Sequence, residues 1–161
     1  MEETNKYYEG KLRVRVCGIC MQNKQLLLVC HKGLFPDHDF WAPPGGGLHY
    51  GESIRACLKR EFLEETGLEI KAGRFLFMNE FLQPPLHALE LFFEVEITGG
   101  ALNQGTDPEL GENEQMISEV SYKNLTELSK IPLPEKHSIF HQLVDFDDLF
   151  IPENRFVNEV N

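Results

Sequence analysis

The sequence predicts an α/β fold in which a mixed β-sheet lies between helices. The order of the predicted elements is strand, strand, helix, strands, helix, and no internal repeat or linker divides the chain. In addition, 161 residues are enough for one domain with a sizeable core. We therefore expect a single domain over residues 1–161, in which about residues 145–161 form a tail or a partner-binding segment.

The first two predicted elements are strands. Residues 12–16 alternate between apolar and polar side chains, which indicates a strand with one wet face, and residues 17–20 continue it with a more apolar composition. Residues 26–30, with the sequence LLLVC, indicate a short buried strand. Because a polar turn over residues 22–25 separates them, we expect the two strands to pair as a hairpin.

A helix is predicted over residues 54–66. Ser53 is a suitable N-cap, and Gly67 is suited to the left-handed conformation that often ends a helix. No Pro or Gly interrupts the segment between them. Its apolar stripe begins at Ile54 and Leu58 and leads into acidic residues in the second half of the helix.

Three carboxylates meet near the end of this helix. Glu61, Glu64 and Glu65 stand at positions i, i+3 and i+4, so they are neighbours on its surface. They repel one another, they lie where the macrodipole favours cations, and a covered face would remove their hydration. A hard divalent cation would reverse these effects, because Mg²⁺ and Mn²⁺ prefer carboxylate oxygens. The alternative is a solvated acidic end of a surface helix.

The loop before the helix contains residues 44–47, with the sequence PGGG. Glycine lets the backbone come close to a ligand that a side chain would exclude. The N–H groups of such a loop suit phosphate oxygens, so a metal-bound phosphate beside the carboxylates is one interpretation. An ordinary turn is the other.

Two more strands follow the helix. Residues 69–74 resemble a strand edge and a turn, residues 75–82 indicate a strand, and residues 83–85 break it. Residues 87–97 alternate over their full length, with Glu90 among the acidic residues on the face opposite the apolar one. This pattern is typical of a central or core-facing strand.

The last third of the chain begins with a long polar loop over residues 101–115, of a length that often covers a site. Residues 135–144 indicate a last helix. His137 and His141 are one helical turn apart there and have the spacing of metal ligands. Since no acid or Cys stands close to them, we expect them to be exposed instead.

Cys17 and Cys20 form a CxxC motif, which can bind zinc or act in redox chemistry. Zinc needs a second close pair, which the sequence lacks, and residues three apart in a strand point to opposite faces. We therefore expect buried, reduced thiols at these positions and at Cys30 and Cys57.

The charge excludes some classes of partner. The net charge is −11, from 26 acidic and 15 basic residues, whereas a non-specific binder of nucleic acids or membrane surfaces is usually basic. No apolar run approaches the length of a membrane span, and the polar N-terminus is unlike a signal peptide. We expect a cytoplasmic protein without strong nucleic-acid binding and without membrane association.

Residues 46–68 resemble the signature of the Nudix hydrolases, G-x5-E-x7-R-E-U-x-E-E-x-G-U, in which U is aliphatic. The matching positions are Gly46, Glu52, Arg60, Glu61, Glu64, Glu65, Gly67 and Leu68. Phe62 takes the first U position and keeps its apolar character. The resemblance implies the Nudix-type α/β/α sandwich with a mixed sheet between helices, Mg²⁺ or Mn²⁺ as the cofactor, and hydrolysis of the diphosphate bond in a nucleoside diphosphate linked to another moiety.

The resemblance also implies roles for individual residues. The residues implied as metal ligands or catalytic carboxylates are Glu61, Glu64, Glu65 and, through its carbonyl, Gly46. Glu52 and Arg60 hold the loop and helix together or help with the metal. Residues 116–128 resemble the stretch of the family in which a strand leads into a short helix. An acidic residue just before that strand is implied as a base or extra ligand, with Glu114 as the best candidate and Glu112 as its rival.

Candidates for binding the substrate lie outside the signature. His31 and Lys32 stand where relatives often contact substrate phosphates, and plain surface charge is the alternative. The aromatic residues that either stack on a base or belong to the core are Phe35, Phe40, Trp41 and Phe81.

The substrate class stays open at this stage. Pro84 follows Leu68 at a spacing associated with ADP-ribose hydrolases, but nucleoside triphosphates, dinucleoside polyphosphates, nucleotide sugars and capped RNA ends are alternatives. A non-hydrolytic Nudix-like nucleotide sensor and an isopentenyl diphosphate isomerase-type enzyme are the two other functional classes. Dimers are frequent among the proteins it resembles, so a homodimer is possible.

Overall fold

The computed structural model describes residues 9–105, 116–151 and 156–157. In chain order the elements are β1 (Leu12–Ile19), β2 (Met21–Gln22), β3 (Gln25–His31), β4 (Phe40–Ala42), β5 (Gly45–Gly47), α1 (Ile54–Thr66), β6 (Leu68–Gln83), β7 (Leu86–Gly100), β8 (Ile117–Lys123), α2 (Leu125–Lys130), three 3₁₀ helices (Leu133–Glu135, Ser138–Phe140, Phe146–Phe150) and β9 (Phe156–Val157). None of the described helices is long and apolar enough to span a bilayer.

A mixed sheet of five strands, in the order β5-β1-β7-β6-β9, forms the centre of the fold. Strands β1 and β7 run parallel, β1 pairs antiparallel with β5, and β6 pairs antiparallel with β7. A second sheet forms around β3, which pairs antiparallel with β2, β4 and β8. The predicted α/β class with a mixed sheet is therefore confirmed.

The core lies on both sides of the central sheet. On one side, Phe62 of α1 packs with Phe93 and Val95 of β7. On the other side, Phe92 of β7 packs with residues of α2 and of the 3₁₀ helices, including Phe140. The sheet is thus held between helical segments, which explains why β7 is buried on both faces over much of its length.

Helix α1 begins and ends where the sequence predicts. The hydroxyl of Ser53 accepts a hydrogen bond from the N–H of Ala56 at 3.2 Å. Gly67 adopts the left-handed conformation, with φ of 73°, and its N–H donates to the carbonyl of Leu63. The helix approaches β1 so closely that a Cβ on Gly18 would lie 2.5 Å from the ring of Phe62. These contacts fix the rotation of α1 and hence the direction of its glutamates.

The predicted hairpin of the first two strands is wrong. Both edges of β1 are occupied, one by β7 and the other by β5, so β1 does not pair with β3. The chain leaves the central sheet at Cys20, and only the short β2 pairs with β3. Cys17 and Cys20 fall in the core clusters on opposite sides of the sheet, and all four cysteines are buried and free, as predicted.

The strand after α1 is longer than predicted. Strand β6 runs continuously from Leu68 to Gln83, and the predicted turn over residues 69–74 is instead a stretch of strand with register shifts opposite β7. The acidic face of β7 is also not uniformly wet. Glu90 is only 4% exposed, because the 3₁₀ segments cover this part of the sheet.

The predicted helix over residues 135–144 is wrong as well. After the first 3₁₀ helix, the chain forms a parallel bridge between Lys136 and Trp41, and the N–H of His137 donates to the carbonyl of Trp41 at 2.9 Å. This pairing with β4 interrupts the helical hydrogen bonds. It also carries His137, which we expected to be exposed, into the interior with 2% exposure.

Candidate active site

A pocket opens between the acidic end of α1, the glycine strand β5 and the middle of β7. Its polar wall contains Gly45, Gly46, Gly47, Arg60, Glu61, Glu64 and Glu65. Further along, the lining changes to aromatic and apolar side chains, among them Phe40, Phe81 and Ala88. Every residue of the signature that we expected to bind metal therefore lines this one pocket.

Arg60 connects the carboxylates to one another and to the glycine strand. Its Nε and Nη2 donate to the two carboxylate oxygens of Glu52 at 2.8 and 2.9 Å, and Nη2 also donates to the carbonyl of Gly47 at 3.1 Å. Its Nη1 donates to Glu61 at 2.7 Å and to Glu64 at 3.2 Å. The structure thus brings Glu52 and Arg60 together between loop and helix.

Glu52 is held in its charged form by this arrangement. The hydrogen bonds from Arg60 are the main cause, and together with the N–H of His49 they lower the pKa of Glu52 to about 2. A two-bond pair of guanidinium and carboxylate has a defined geometry that a point charge does not impose. The loop before α1 is therefore tied to the helix at a fixed angle.

Glu61 packs directly against the glycine strand at Gly46. A Cβ on Gly46 would come within 2.3 Å of its carboxylate, so only glycine leaves room for this side chain. Burial raises the pKa of Glu61, while the neighbouring Arg60 opposes that effect. A buried carboxylate of this kind is stabilised by any cation that enters the pocket.

Glu65 and Arg15 hydrogen-bond to the two backbone polar groups of Gly45. The N–H of Gly45 donates to the carboxylate of Glu65 at 2.9 Å, and Arg15 donates to the carbonyl of Gly45 at 3.0 Å. Glu65 is 7% exposed, so this contact is inside the protein. The pair orients β5 toward the pocket.

The ligand atoms available at this site are oxygens, which are the type that a hard divalent cation prefers. Glu61, Glu64 and Glu65 offer carboxylate oxygens on one wall, and Gly46 offers a carbonyl beside them. In the described part of the chain, however, no three acidic, His or Cys side chains converge into a finished metal site. The reason is visible in the contacts, since Arg60 Nη1 engages both Glu61 and Glu64. A cation that binds there has to displace Nη1 from these two residues.

The predicted substrate-binding residues separate into two groups. His31 and Phe81 line the pocket, whereas Lys32 is exposed and Trp41 lies elsewhere, with Lys123 Nζ 4.4 Å from its ring centre. Burial in the pocket and the charge of Arg15 lower the pKa of His31 to about 3, so its ring is neutral at physiological pH. The aromatic residues outside the signature are divided in the same way: Phe40 lines the pocket, and Phe35 is buried behind it.

The acidic candidates in the long loop, Glu114 and its rival Glu112, lie outside the described residues.

The sequence analysis missed five polar residues that line the pocket, and three of them lie next to one another. Arg15 lies on β1, Glu90 on β7 and His137 between two 3₁₀ helices. The Nε2 atom of His137 is 2.7 Å from Glu90 Oε2. Their separation along the chain is large, and the alternating pattern of β7 gives no sign that one of its glutamates is covered. The parallel pairing of β1 with β7, which brings Arg15 opposite Glu90, is the missing information.

Comparison with known proteins agrees with this geometry. A family model described as the NUDIX domain matches residues 11–144. The chain is 31% identical to an ADP-ribose pyrophosphatase of Methanocaldococcus jannaschii over 96 residues, which are 58% of this chain and 56% of that protein. It is 31% identical to the NAD-capped RNA hydrolase NudC of Chromobacterium violaceum over 137 residues, which are 85% of this chain and 46% of that protein. The chain thus spans about half the length of these two relatives.

A third relative is matched over most of its own length. It is the nucleoside triphosphatase NudI of an Enterobacter species, 30% identical over 125 residues, which are 72% of this chain and 86% of that protein.

Solved structures show the same fold. A NUDIX hydrolase from Nitrosomonas europaea superposes with a TM-score of 0.62 at 21% identity, covering 76% of this chain and 83% of that one. A MutT NUDIX hydrolase from Burkholderia pseudomallei gives a TM-score of 0.61 at 19% identity, covering 80% and 92%. Since the family model extends over most of the chain and five of its signature residues, Gly46, Arg60, Glu61, Glu64 and Glu65, line a single pocket, this chain belongs to the Nudix family.

Proposed function

We propose that this protein is a metal-dependent hydrolase that cleaves the diphosphate bond of a nucleoside diphosphate linked to another moiety. The observation that carries the proposal is the convergence of Glu61, Glu64 and Glu65 on one pocket beside β5. A sensor that only binds its ligand has no need for a complete carboxylate set. The substrate class comprises ADP-ribose, nucleotide sugars and nucleoside triphosphates.

The chemistry required is charge compensation, since a diphosphate is anionic and repels an attacking hydroxide. Mg²⁺ or Mn²⁺, held by Glu61, Glu64, Glu65 and the carbonyl of Gly46, would neutralise the phosphates and lower the pKa of a bound water. When Nη1 of Arg60 leaves Glu61 and Glu64, Arg60 would keep its two hydrogen bonds to Glu52. The loop and the helix would then stay connected.

A base is needed to take the proton from the attacking water. Glu64 suits this role because its side chain is 25% exposed, against 13% for Glu61, and therefore reaches solvent more readily. Glu114, in the long loop, is the second candidate for this role. A positioned carboxylate contributes roughly a hundredfold to ten-thousandfold to such a step.

The rest of the pocket supports a nucleotide as the substrate. Arg13 and Arg15 line the pocket beside the glycine strand and provide positive charge for phosphate oxygens, and His31 provides a neutral polar ring. Phe40 and Phe81 form an apolar region suited to a base. The relatives described above carry names that refer to ADP-ribose, NAD-capped RNA and nucleoside triphosphates.

Other properties follow as part of the same proposal. We propose a single domain over residues 1–161 that acts in the cytoplasm on a small-molecule nucleotide, without strong nucleic-acid binding. The excess of acidic residues supports the last point. A homodimer is proposed from the family alone.

The test is release of nucleoside monophosphate from ADP-ribose, UDP-glucose, nucleoside triphosphates and dinucleoside polyphosphates, with Mg²⁺ or Mn²⁺. Glu64→Gln should lower kcat/KM by about a hundredfold or more without unfolding the protein. Glu69→Gln is the matched control, because Glu69 follows the same helix but is exposed and outside the pocket. Turnover that survives a chelator, or binding of these nucleotides without any cleavage, would contradict the proposal; the second result would favour a sensor.

A further inference from the structure

A buried carboxylate that does not belong to the signature also lines the pocket. Glu90 of β7 is 4% exposed and lines the pocket together with Phe40, Phe81 and Ala88. Removing a charged group from water in this way is costly unless partners compensate it. The identity of those partners shows which part of the carboxylate is left for a ligand.

Protein groups engage one oxygen of this carboxylate and leave the other without a hydrogen bond. Oε2 is 2.9 Å from Asn79 Nδ2 and 2.7 Å from His137 Nε2, so both of its lone pairs have partners. Oε1 has Arg15 Nε at 3.7 Å, which is an ion pair but too long for a hydrogen bond. Among the described residues no hydrogen bond reaches Oε1.

The guanidinium of Arg15 does not complete this contact. Its Nη2 donates to the carbonyl of Gly45, and its Nε is buried without a hydrogen-bond partner in the described part of the chain. Burial alone would raise the pKa of Glu90, but His137 and, to a smaller extent, Arg15 lower it, so the carboxylate stays charged while Arg15 leaves the lone pairs of Oε1 unused. Oε1 therefore belongs to a carboxylate that lines the pocket and can accept a hydrogen bond from a donor on a ligand.

The walls around Oε1 indicate which part of a ligand brings this donor. The rings of Phe40 and Phe81 meet edge to face with centres 5.8 Å apart, and the ring of His137 lies 5.3 Å from that of Phe81. Aromatic and aliphatic surfaces of this kind suit a flat heterocycle better than a sugar, whose hydroxyls would lose their hydration.

We infer that Glu90 is a specificity-determining residue that accepts a hydrogen bond from an exocyclic amino group of the substrate's base through Oε1. The inference rests on the proposed function, because it places the base in this pocket. Adenine, guanine and cytosine carry such an amino group, and it projects beyond the ring toward a recessed oxygen. Uracil presents carbonyl oxygens at the corresponding ring positions, and these are repelled by a carboxylate.

The experiment measures binding without chemistry. Calorimetry in the absence of divalent cations would compare AMP, GMP and CMP with the analogues that lack the amino group: purine riboside, inosine and 4-deaminocytidine 5′-monophosphates. At least one parent nucleotide should bind about tenfold or more tightly than its analogue, since hydrogen bonds to buried charges are strong.

Variants identify the residue responsible. We call the ratio of the two affinities, parent nucleotide over analogue, the contrast. Glu90→Gln should reduce this contrast to within about twofold, because the neutral amide is a weaker acceptor. Glu94→Gln is the matched control, since Glu94 is on the same strand but pairs with the exposed Arg74 outside the pocket, and it should keep the full contrast. If Glu90→Gln fails to fold, equal binding of every parent and its analogue by the wild-type protein still overturns the inference.

The inference is overturned if every parent and analogue bind equally, if UMP binds as tightly as the amino-bearing nucleotides, or if the contrast survives in Glu90→Gln. These outcomes are separate from failure of the proposed function, because monophosphates have no diphosphate bond to cleave. Hydrolysis without the contrast would remove this inference alone. The contrast without any hydrolysis would remove the proposed activity alone.

Discussion

Gly46→Ala places a methyl group where the carboxylate of Glu61 now lies. The new Cβ would be 2.3 Å from that carboxylate, and since real Cβ atoms keep at least 3.0 Å from such neighbours, the carboxylate has to move by at least about 0.7 Å. The clash involves only the far end of a long side chain, so the backbone does not have to shift. Displacement of a catalytic group by about 1 Å costs on the order of a hundredfold in rate.

We therefore expect Gly46→Ala to lower kcat/KM for diphosphate hydrolysis on the order of a hundredfold. Its free energy of unfolding should fall by only about 1 kcal/mol or less, because the main loss is the partly exposed contact of Glu61 with Arg60 at 2.7 Å. Steady-state kinetics and urea unfolding of the same preparation measure the two effects.

The control is Gly99→Ala. A Cβ there would lie 2.8 Å from the carboxylate of Glu69, which is the same kind of clash at a distance from the pocket. This variant should keep wild-type kcat/KM. The reasoning is refuted if Gly46→Ala retains kcat/KM within about threefold of wild type, or if it loses activity only because it unfolds.

Three further predictions concern the scaffold of the site. Arg60→Lys should destabilise the fold by about 1–3 kcal/mol in urea unfolding, because an ammonium cannot reproduce the two bonds to Glu52 at 2.8 and 2.9 Å; an unchanged midpoint would contradict this. Gly18→Ala should cost about 1–3 kcal/mol through overpacking against the ring of Phe62, 2.5 Å away, and a thermal unfolding midpoint equal to wild type would show that the helix can retreat. The pKa of His31 is lowered from 6.5 to about 3, so below pH 6.5 the unfolded chain takes up a proton that the folded protein does not, and stability is lost as pH falls toward 3. The free energy of unfolding of His31→Gln should therefore fall less between pH 7 and pH 5 than that of the wild type. Denaturant unfolding that shows the same decrease for both proteins would disprove this.

Local signals predicted helix α1 well. The N-cap Ser53, the left-handed Gly67 and the spacing of the three glutamates each depend on residues within one or two turns, and the structure has all of them in place. The short helix α2 after β8, which the resemblance implied, also has a local signal, since Asn124 and Glu127 form a capping box. Residues close in sequence constrain one another whatever the rest of the chain does.

Strand pairing was predicted poorly where it depended on distant partners. The hairpin expected from neighbouring strands was wrong because β5 and β7 occupy both edges of β1. The last helix was wrong because the chain near His137 hydrogen-bonds to Trp41 of β4 instead of to itself. In both places hydrogen bonds to a distant strand replaced hydrogen bonds within the segment. The composition of the segment does not reveal which of the two sets forms.

The carboxylate set, its spacing on one helix and the family to which the chain belongs follow from the sequence alone, because these are properties of a contiguous segment. Which other side chains line the pocket with those carboxylates depends on the tertiary structure. Arg15 and Glu90 meet through the parallel register of β1 and β7, and His137 joins them through a bridge to β4. Such contacts form between elements far apart in the chain, where burial and hydrogen bonding in the assembled fold, rather than local preference, fix each side chain's neighbours.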